Sequence, residues 1–176
     1  MNKQVISDNH KVDFAKRKGK TDEWFTPLGA VVKIVDIISS GAVVWCPFDT
    51  EESNFVKELS KTNKVVFSHI DNGEDFFDFE PNKWDIIVSN PPYSLRNKIL
   101  ERAFSFGKPF ALLMNTNGLF DSKIRWELFK NNDFTLFYLQ GRTPFMNEDM
   151  VLMESPPFQS AYICSKIFDD KIVFSK

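Results

Sequence analysis

The chain of 176 residues alternates short apolar runs with amphipathic segments, a pattern typical of folds in which strands and helices alternate. Consecutive apolar and β-branched residues predict strands that are buried on both faces of a sheet. Apolar residues three and four positions apart predict helices that pack on that sheet. The predicted strands are 42–46, 64–70, 86–88, 110–114, 134–139, 160–165 and 171–174. The predicted helices are 27–39, 51–61, 95–106 and 122–130.

This order of elements predicts an α/β fold, with a mixed sheet and helices on both of its faces. Thr26 is the expected N-cap of the first helix and Pro27 its first residue. Only about a dozen residues separate the second strand from Trp84, too few for a further helix and strand. We therefore expect a Rossmann-like sheet whose usual second helix and third strand are missing or vestigial.

The length of the chain favours a single domain. Its net charge does not indicate a nucleic-acid partner, which would favour a basic balance. The net charge is −2, although residues 1–20 are rich in lysine and arginine. We expect a mobile basic arm at 1–20, either a solvated tail or a phosphate-contacting arm, and a single folded domain at 21–176. No insertion is long enough for a further domain.

The positions of cysteine and histidine argue against a metal site, and the hydropathy pattern argues against a secreted or membrane protein. Cys46 and Cys164 lie in apolar runs, and His10 and His69 have no partners at metal-ligand spacing. We predict buried cysteines and no metal site. Neither a signal peptide nor a long apolar span is evident, so a cytoplasmic protein that does not enter membranes is expected.

The strongest chemical signal is Asn90-Pro91-Pro92-Tyr93, which directly follows the apolar run 86–88. Prolines do not continue a central strand, and ligands of open α/β sheets bind where parallel strands end. The amide oxygen of Asn90 and the carbonyl of Pro91 are suited to accept both hydrogens of a planar exocyclic amine. Tyr93 offers a ring on which the parent base or amide can stack. Such acceptors favour the pyramidal amine that attacks a methyl group.

These residues resemble motif IV of the S-adenosylmethionine-dependent amino-methyltransferases. The sequence D-E-W-F-T-P at 22–27 resembles the motif X region of the phage and prophage DNA adenine-N6 methyltransferases. The resemblance extends over about 21–164 and implies a class I methyltransferase fold, S-adenosylmethionine as cofactor and DNA as partner. It assigns the target amine to Asn90, Pro91, Pro92 and Tyr93.

The resemblance also implies a set of cofactor-binding residues in three stretches of the chain. They are Trp24, Phe25, Thr26, Pro47, Phe48, Asp49, Thr50, Asp71, Asp75 and Phe76. The family often has D-P-F-x-G-x-G after the first strand, where this chain has C-P-F-D-T without glycine. Asp49 is the candidate to replace the missing first aspartate toward the amino group of the cofactor. The alternative role for Asp49 or Thr50 is a helix cap.

The segment 141–158 is long for a loop and is the candidate for contact with the target strand. Arg142 is a candidate phosphate or base contact, and Phe145 or Phe158 a second face for a stacked base. A duplex base would have to leave the stack to reach Asn90. Because no insertion is long enough for a separate target-recognition domain, recognition of the DNA target would then come from the arm, this loop, a partner subunit or a second copy in a homodimer.

Two alternatives remain open from the sequence. The same chemistry would serve an RNA adenine or a protein glutamine. The glycine-free loop is also compatible with a catalytically silent methyltransferase-like module that binds nucleic acid or a partner.

Overall fold

The computed structural model describes residues 25–145 and 158–176, which form a seven-stranded sheet with α-helices on both faces. The strands are β1 Val43–Cys46, β2 Lys64–Phe67, β3 Ile86–Ser89, β4 Phe110–Asn115, β5 Thr135–Tyr138, β6 Ser160–Ser165 and β7 Ile172–Phe174. The helices are α1 Leu28–Val35, α2 Asn54–Leu59, α3 Arg96–Ser105 and α4 Lys123–Asn131. The predicted α/β class is confirmed.

The strand order is β2-β1-β3-β4-β6-β5-β7. Strands β1 to β4 are mutually parallel, β6 is antiparallel to both β4 and β5, and β7 is parallel to β5. The predicted antiparallel pairing of the two strands β5 and β6 is therefore confirmed. Because β1 to β4 are parallel, the loops that follow them share one edge of the sheet, where ligands bind in folds of this class.

Successive side chains of a strand point to opposite faces of the sheet, so each strand contributes to two apolar layers. Val44 and Val88 pack with α1 and α2 on one face. Trp45 and Ile87 pack with α3 and α4 on the other face. Strands β1, β3 and β4 are thus covered on both sides, which explains their apolar sequences, whereas β2 at the edge of the sheet is only partly buried.

The connection from β2 to β3 contains neither an α-helix nor a strand, as expected from its length. Within residues 68–85 the regular structure is one turn of 3-10 helix, Ile70–Asn72. Aromatic rings cover Trp45 on this side: Phe76 lies 5.5 Å away, Trp84 5.4 Å and Phe106 5.8 Å between ring centroids. Large rings bury much apolar area per residue, so a short connection can cover the sheet face.

Two helix starts differ from the prediction. Pro27, rather than Thr26, is the N-cap of α1, because the Pro27 carbonyl accepts the first helical bond from Ala30 at 3.0 Å. Helix α2 begins at Asn54, and its cap is Ser53, whose hydroxyl accepts from the amide of Phe55 at 3.1 Å. Neither Asp49 nor Thr50 caps this helix.

The other boundaries shift by a few residues. Helix α1 ends at Val35 rather than at residue 39, and β2 ends at Phe67 rather than at residue 70. Cys46 and Cys164 are buried in β1 and β6, as predicted.

Candidate functional site

The Asn90-Pro91-Pro92-Tyr93 turn lies at the end of β3, between the loops of the neighbouring strands β1 and β4. Pro91 is buried, while Asn90, Pro92 and Tyr93 are half-buried. Pro92 is extended, with φ −63° and ψ 121°, and its carbonyl accepts from the amide of Leu95 at 3.1 Å. The two prolines and the following 3-10 turn fix the direction of the chain as it leaves the buried strand.

The loop after β1 places the carboxylate of Asp49 next to the strand residue that precedes this turn. Asp49 is buried, and its Oδ1 accepts from the hydroxyl of Ser53 at 2.5 Å. Its Oδ2 accepts from the hydroxyl of Ser89, the last residue of β3. Each oxygen of Asp49 therefore already has a partner within the chain, and one of these partners is the residue directly before Asn90.

Burial raises the pKa of Asp49 from its ordinary value of 3.8 to about 6, because water no longer stabilises the charged form. Hydrogen bonds from Ser53 and Ser89, together with the nearby His69, oppose this rise. A carboxyl group with this pKa changes its protonation state close to neutral pH.

The predicted cofactor residues Phe48 and Phe76 form one aromatic contact, with ring centroids 4.8 Å apart. Phe76 is only 2% exposed and also packs against Trp45. Phe48 is half-buried. Of the two rings, Phe48 has the surface that a ligand could contact, and Phe76 supports it from the core.

Asp75 and Asp71 differ in their surroundings. Asp75 is buried, and its Oδ1 accepts from the amide of Phe77 at 3.0 Å, which fixes the turn after it. The side chain of Asp71 is 54% exposed, and its Oδ2 lies 3.6 Å from Nδ1 of His69. Asp71 follows the end of β2 and thus lies at the ligand-binding edge of the sheet.

At the start of α1, Phe25 is exposed and Thr26 is buried. The carbonyl of Thr26 accepts from the side-chain amide of Asn54 at 2.8 Å, which ties this segment to the start of α2. In the β1 loop, Pro47 is buried and Thr50 is exposed. Trp24 and the expected basic arm lie outside the described residues.

The predicted substrate residues meet the catalytic turn through aromatic contacts. The ring of Tyr93 is 5.8 Å from that of Phe158 and 6.4 Å from that of Phe145, both at steep angles. Phe145 is fully buried, whereas Phe158 is half-buried. Phe158 is therefore the better placed of the two to contact a base. Arg142 is exposed, and the loop residues 146–157 lie outside the described residues.

Two arginines support the loop after β4 and were not predicted as site residues. Arg96 Nη1 donates to the carbonyl of Asn115 at 2.9 Å. The buried Arg125 donates to the carbonyls of Gly118 at 2.6 Å and Leu119 at 2.7 Å. Arginines on predicted helices are usually read as solvent-facing, so nothing in the local sequence marks them as supports of a loop.

Ser53 and Ser89 were missed for a similar reason. A serine before a helix or at a strand end is common, and its hydrogen-bond partner is not visible from sequence. Within residues 25–145 and 158–176, no three histidine, cysteine or acidic side chains come together as a metal site. No helix in the same residues is long and apolar enough to span a membrane.

Comparison with known proteins defines the fold. The type I restriction-modification system methyltransferase subunit from Streptococcus thermophilus is similar, with a TM-score of 0.51 and 11% identity over 85% of this chain and 46% of that chain. A dimethyladenosine transferase from Plasmodium falciparum has a TM-score of 0.47 and 13% identity over 81% of this chain and 62% of that one. No protein-family model and no curated protein matches the sequence.

The chain therefore has a Rossmann-like α/β fold similar to that of the Streptococcus methyltransferase subunit. It spans less than half the length of the Streptococcus subunit, 46%.

Proposed function

We propose that this protein transfers a methyl group from S-adenosylmethionine to the N6 amino group of adenine in DNA. The observation that carries the proposal is the position of Asn90-Pro91-Pro92-Tyr93 at the end of β3, on the ligand-binding edge of a methyltransferase-like sheet. The similar Streptococcus protein is a methyltransferase subunit of a restriction-modification system, which supports DNA as the substrate class.

On the target side, the chain provides two acceptors and one ring. The side-chain oxygen of Asn90 and the carbonyl of Pro91 accept the two amine hydrogens, which localises the nitrogen lone pair. Tyr93 holds the plane of the base by stacking, worth about 1–3 kcal/mol. Because the acceptors are fixed by buried Pro91 and the end of β3, they need little reorganisation during the reaction. The amine proton can leave to water after transfer, so no general base is required.

On the cofactor side, the residues present fit S-adenosylmethionine. The exposed carboxylate of Asp71 is suited to the ribose hydroxyls, and the half-buried ring of Phe48 to an apolar contact with the adenine ring. Phe25, just before α1, is exposed, and the resemblance assigns this residue to the methionine end. When bound, the cofactor supplies an electrophilic methyl group on a sulfonium.

A base in duplex DNA has to flip out to reach this turn, at a cost of a few kcal/mol. Exposed Arg142 and half-buried Phe158 are the described residues that support contact with the target strand. Because the chain spans only 46% of the Streptococcus subunit, we assign most of the sequence recognition to residues 146–157, to the arm, or to a partner subunit or second copy.

The test combines binding with methyl transfer. Calorimetric titration of S-adenosylmethionine and of S-adenosylhomocysteine measures the cofactor site, and radiolabelled methyl transfer measures the reaction. The substrates are duplex DNA, the same duplex with every adenine replaced by N6-methyladenine, adenine-containing RNA, and glutamine peptides. Methylation of the first duplex alone supports the proposal, whereas methylation of RNA or peptide alone replaces it with the corresponding alternative.

A silent methyltransferase-like module is the second candidate. The observation that favours it is the glycine-free β1 loop, in which both oxygens of Asp49 are engaged by serine hydroxyls. Absence of binding at millimolar cofactor would support this candidate, whereas micromolar binding with transfer to DNA excludes it.

A further inference from the structure

One buried carboxylate joins the two loops on which the proposed reaction depends. Asp49 belongs to the loop after β1, and Ser89 is the last residue of β3. The Ser89 hydroxyl donates to Oδ2 of Asp49, and Ser53 at the start of α2 donates to Oδ1. The residue after Ser89 is Asn90, which holds the target amine in the proposed reaction.

We propose that Asp49 and Ser89 form a positioning pair that holds Asn90 in register with the cofactor loop. The pair acts through Asn90 and does not touch the reacting atoms. This inference rests on the proposed function and replaces the expectation that Asp49 binds the amino group of the cofactor.

The geometry favours positioning over direct binding. Asp49 is only 8% exposed, so little of its surface is available to a ligand. Ser89 is completely buried, so its hydroxyl has no water to bond instead. A buried hydroxyl bound to a charged acceptor is held more firmly than one bound to a neutral acceptor. A small displacement of an acceptor reduces the rate strongly, because the reacting groups must be aligned.

The surroundings of Asp49 determine which protonation state supports the pair. Among the described residues, titratable groups that interact electrostatically with Asp49 include Cys46 on β1, His69 after β2 and Tyr162 on β6. The ionised carboxylate accepts from both serines as a charged acceptor, whereas in the protonated form one oxygen carries a donor hydrogen and both oxygens are weaker acceptors. We therefore expect the pair to hold Asn90 best above the pKa of Asp49.

The experiment compares Ser89→Ala with Ser68→Ala in the full chain. Ser68 is a matched control, because it is also completely buried just beyond a parallel strand but bonds to the indole of Trp45 instead. For each variant we would measure kcat at saturating DNA and cofactor between pH 5 and 9, the dissociation constant of S-adenosylhomocysteine, and the thermal unfolding midpoint. Carbon-13 NMR of the Asp49 carboxyl would record its titration independently of activity.

The expected result is a kcat for Ser89→Ala at least about tenfold lower, with a cofactor dissociation constant within about threefold of the original. The acid limb of its pH profile and the NMR titration of Asp49 should both move to higher pH, since a bond that stabilises the carboxylate is lost. Ser68→Ala should leave the pH profile and the titration unchanged.

Three results would overturn the inference while the proposed function stands. The first is an Asp49 titration that is the same in Ser89→Ala and in the original chain. The second is an equal loss of kcat in both variants, and the third is a loss of cofactor affinity as large as the loss of kcat. If the original chain binds cofactor but methylates nothing, the proposed function fails. The positioning role fails with it, and the NMR titration then decides separately whether the two loops are linked.

Discussion

The hydroxyl of Ser89 donates a hydrogen bond to the carboxylate of Asp49, although the two residues are 40 positions apart in the chain. The bond crosses between neighbouring parallel strands at the edge where their loops meet. A buried charge at such a junction affects both the pH dependence of folding and the geometry of the adjacent turn.

The stability of the protein should depend on pH through Asp49. Its pKa is raised to about 6 in the folded state, above the ordinary value of 3.8, so its contribution is fully present below 3.8 and lost as pH rises through 6. Between pH 4 and pH 7 the free energy of unfolding should therefore fall relative to Asp49→Asn by about 2 kcal/mol. Urea unfolding at several pH values measures this difference.

Asp71→Asn serves as the control for that measurement, because it removes an exposed carboxylate from the same edge of the sheet. Parallel stability curves for the original chain and Asp49→Asn across this pH range would contradict the prediction.

Arg125→Ala should destabilise the protein by about 2–3 kcal/mol, because it leaves one buried and one partly buried carbonyl without their charged donor. The guanidinium bonds to the carbonyls of Gly118 and Leu119 and to the side chain of Asn97. Chemical denaturation measures the change, and Lys123→Ala removes an exposed cation from the same helix as a control. A loss as small as that of the control would show that the loop does not depend on Arg125.

Phe48 and Phe76 should respond differently to truncation. Phe76→Ala removes a ring that is 2% exposed, and should lower the free energy of unfolding by about 3–5 kcal/mol. Phe48→Ala should lower it less but weaken cofactor binding at least about tenfold, since the half-buried ring is the proposed ligand contact. Calorimetry and denaturation separate these effects. Unchanged cofactor affinity in Phe48→Ala would remove Phe48 from the site.

Tyr93 should contribute to the reaction by stacking its ring on the target base, and its hydroxyl should not be required. Tyr93→Phe preserves the stacking surface and should retain kcat/KM within about threefold, whereas Tyr93→Ala should reduce it at least about tenfold. The steep contact with Phe158 is retained in the first variant and lost in the second. Methyl-transfer kinetics on one DNA duplex compare the two. Equal losses would indicate that the hydroxyl is essential.

Local patterns predicted most of the fold. The apolar run at 86–88 predicted β3, and the helical spacing in 95–106 predicted α3, Arg96–Ser105. The short connection after β2 also predicted the absence of a helix and strand, since chain length limits what can be formed. These features depend on neighbouring residues, so the sequence displays them directly.

Helix caps were predicted less well. Thr26 is a good cap by residue type, yet the carbonyl of Pro27 accepts the first bond and Thr26 is buried against Asn54. The cap of α2 is likewise Ser53 rather than Asp49. Several adjacent polar residues can cap a helix equally well, and tertiary contacts select one of them.

The sequence by itself determined the α/β class, the order of the strands along the chain, and the Asn90-Pro91-Pro92-Tyr93 turn after a buried strand. The tertiary structure alone decided that Asp49 is buried and bonded to Ser89, and that Phe76 lies in the core beneath Phe48. The physical reason is that burial, and with it the pKa of a carboxyl group, depends on side chains from distant elements. Those partners are brought together only when the parallel strands align.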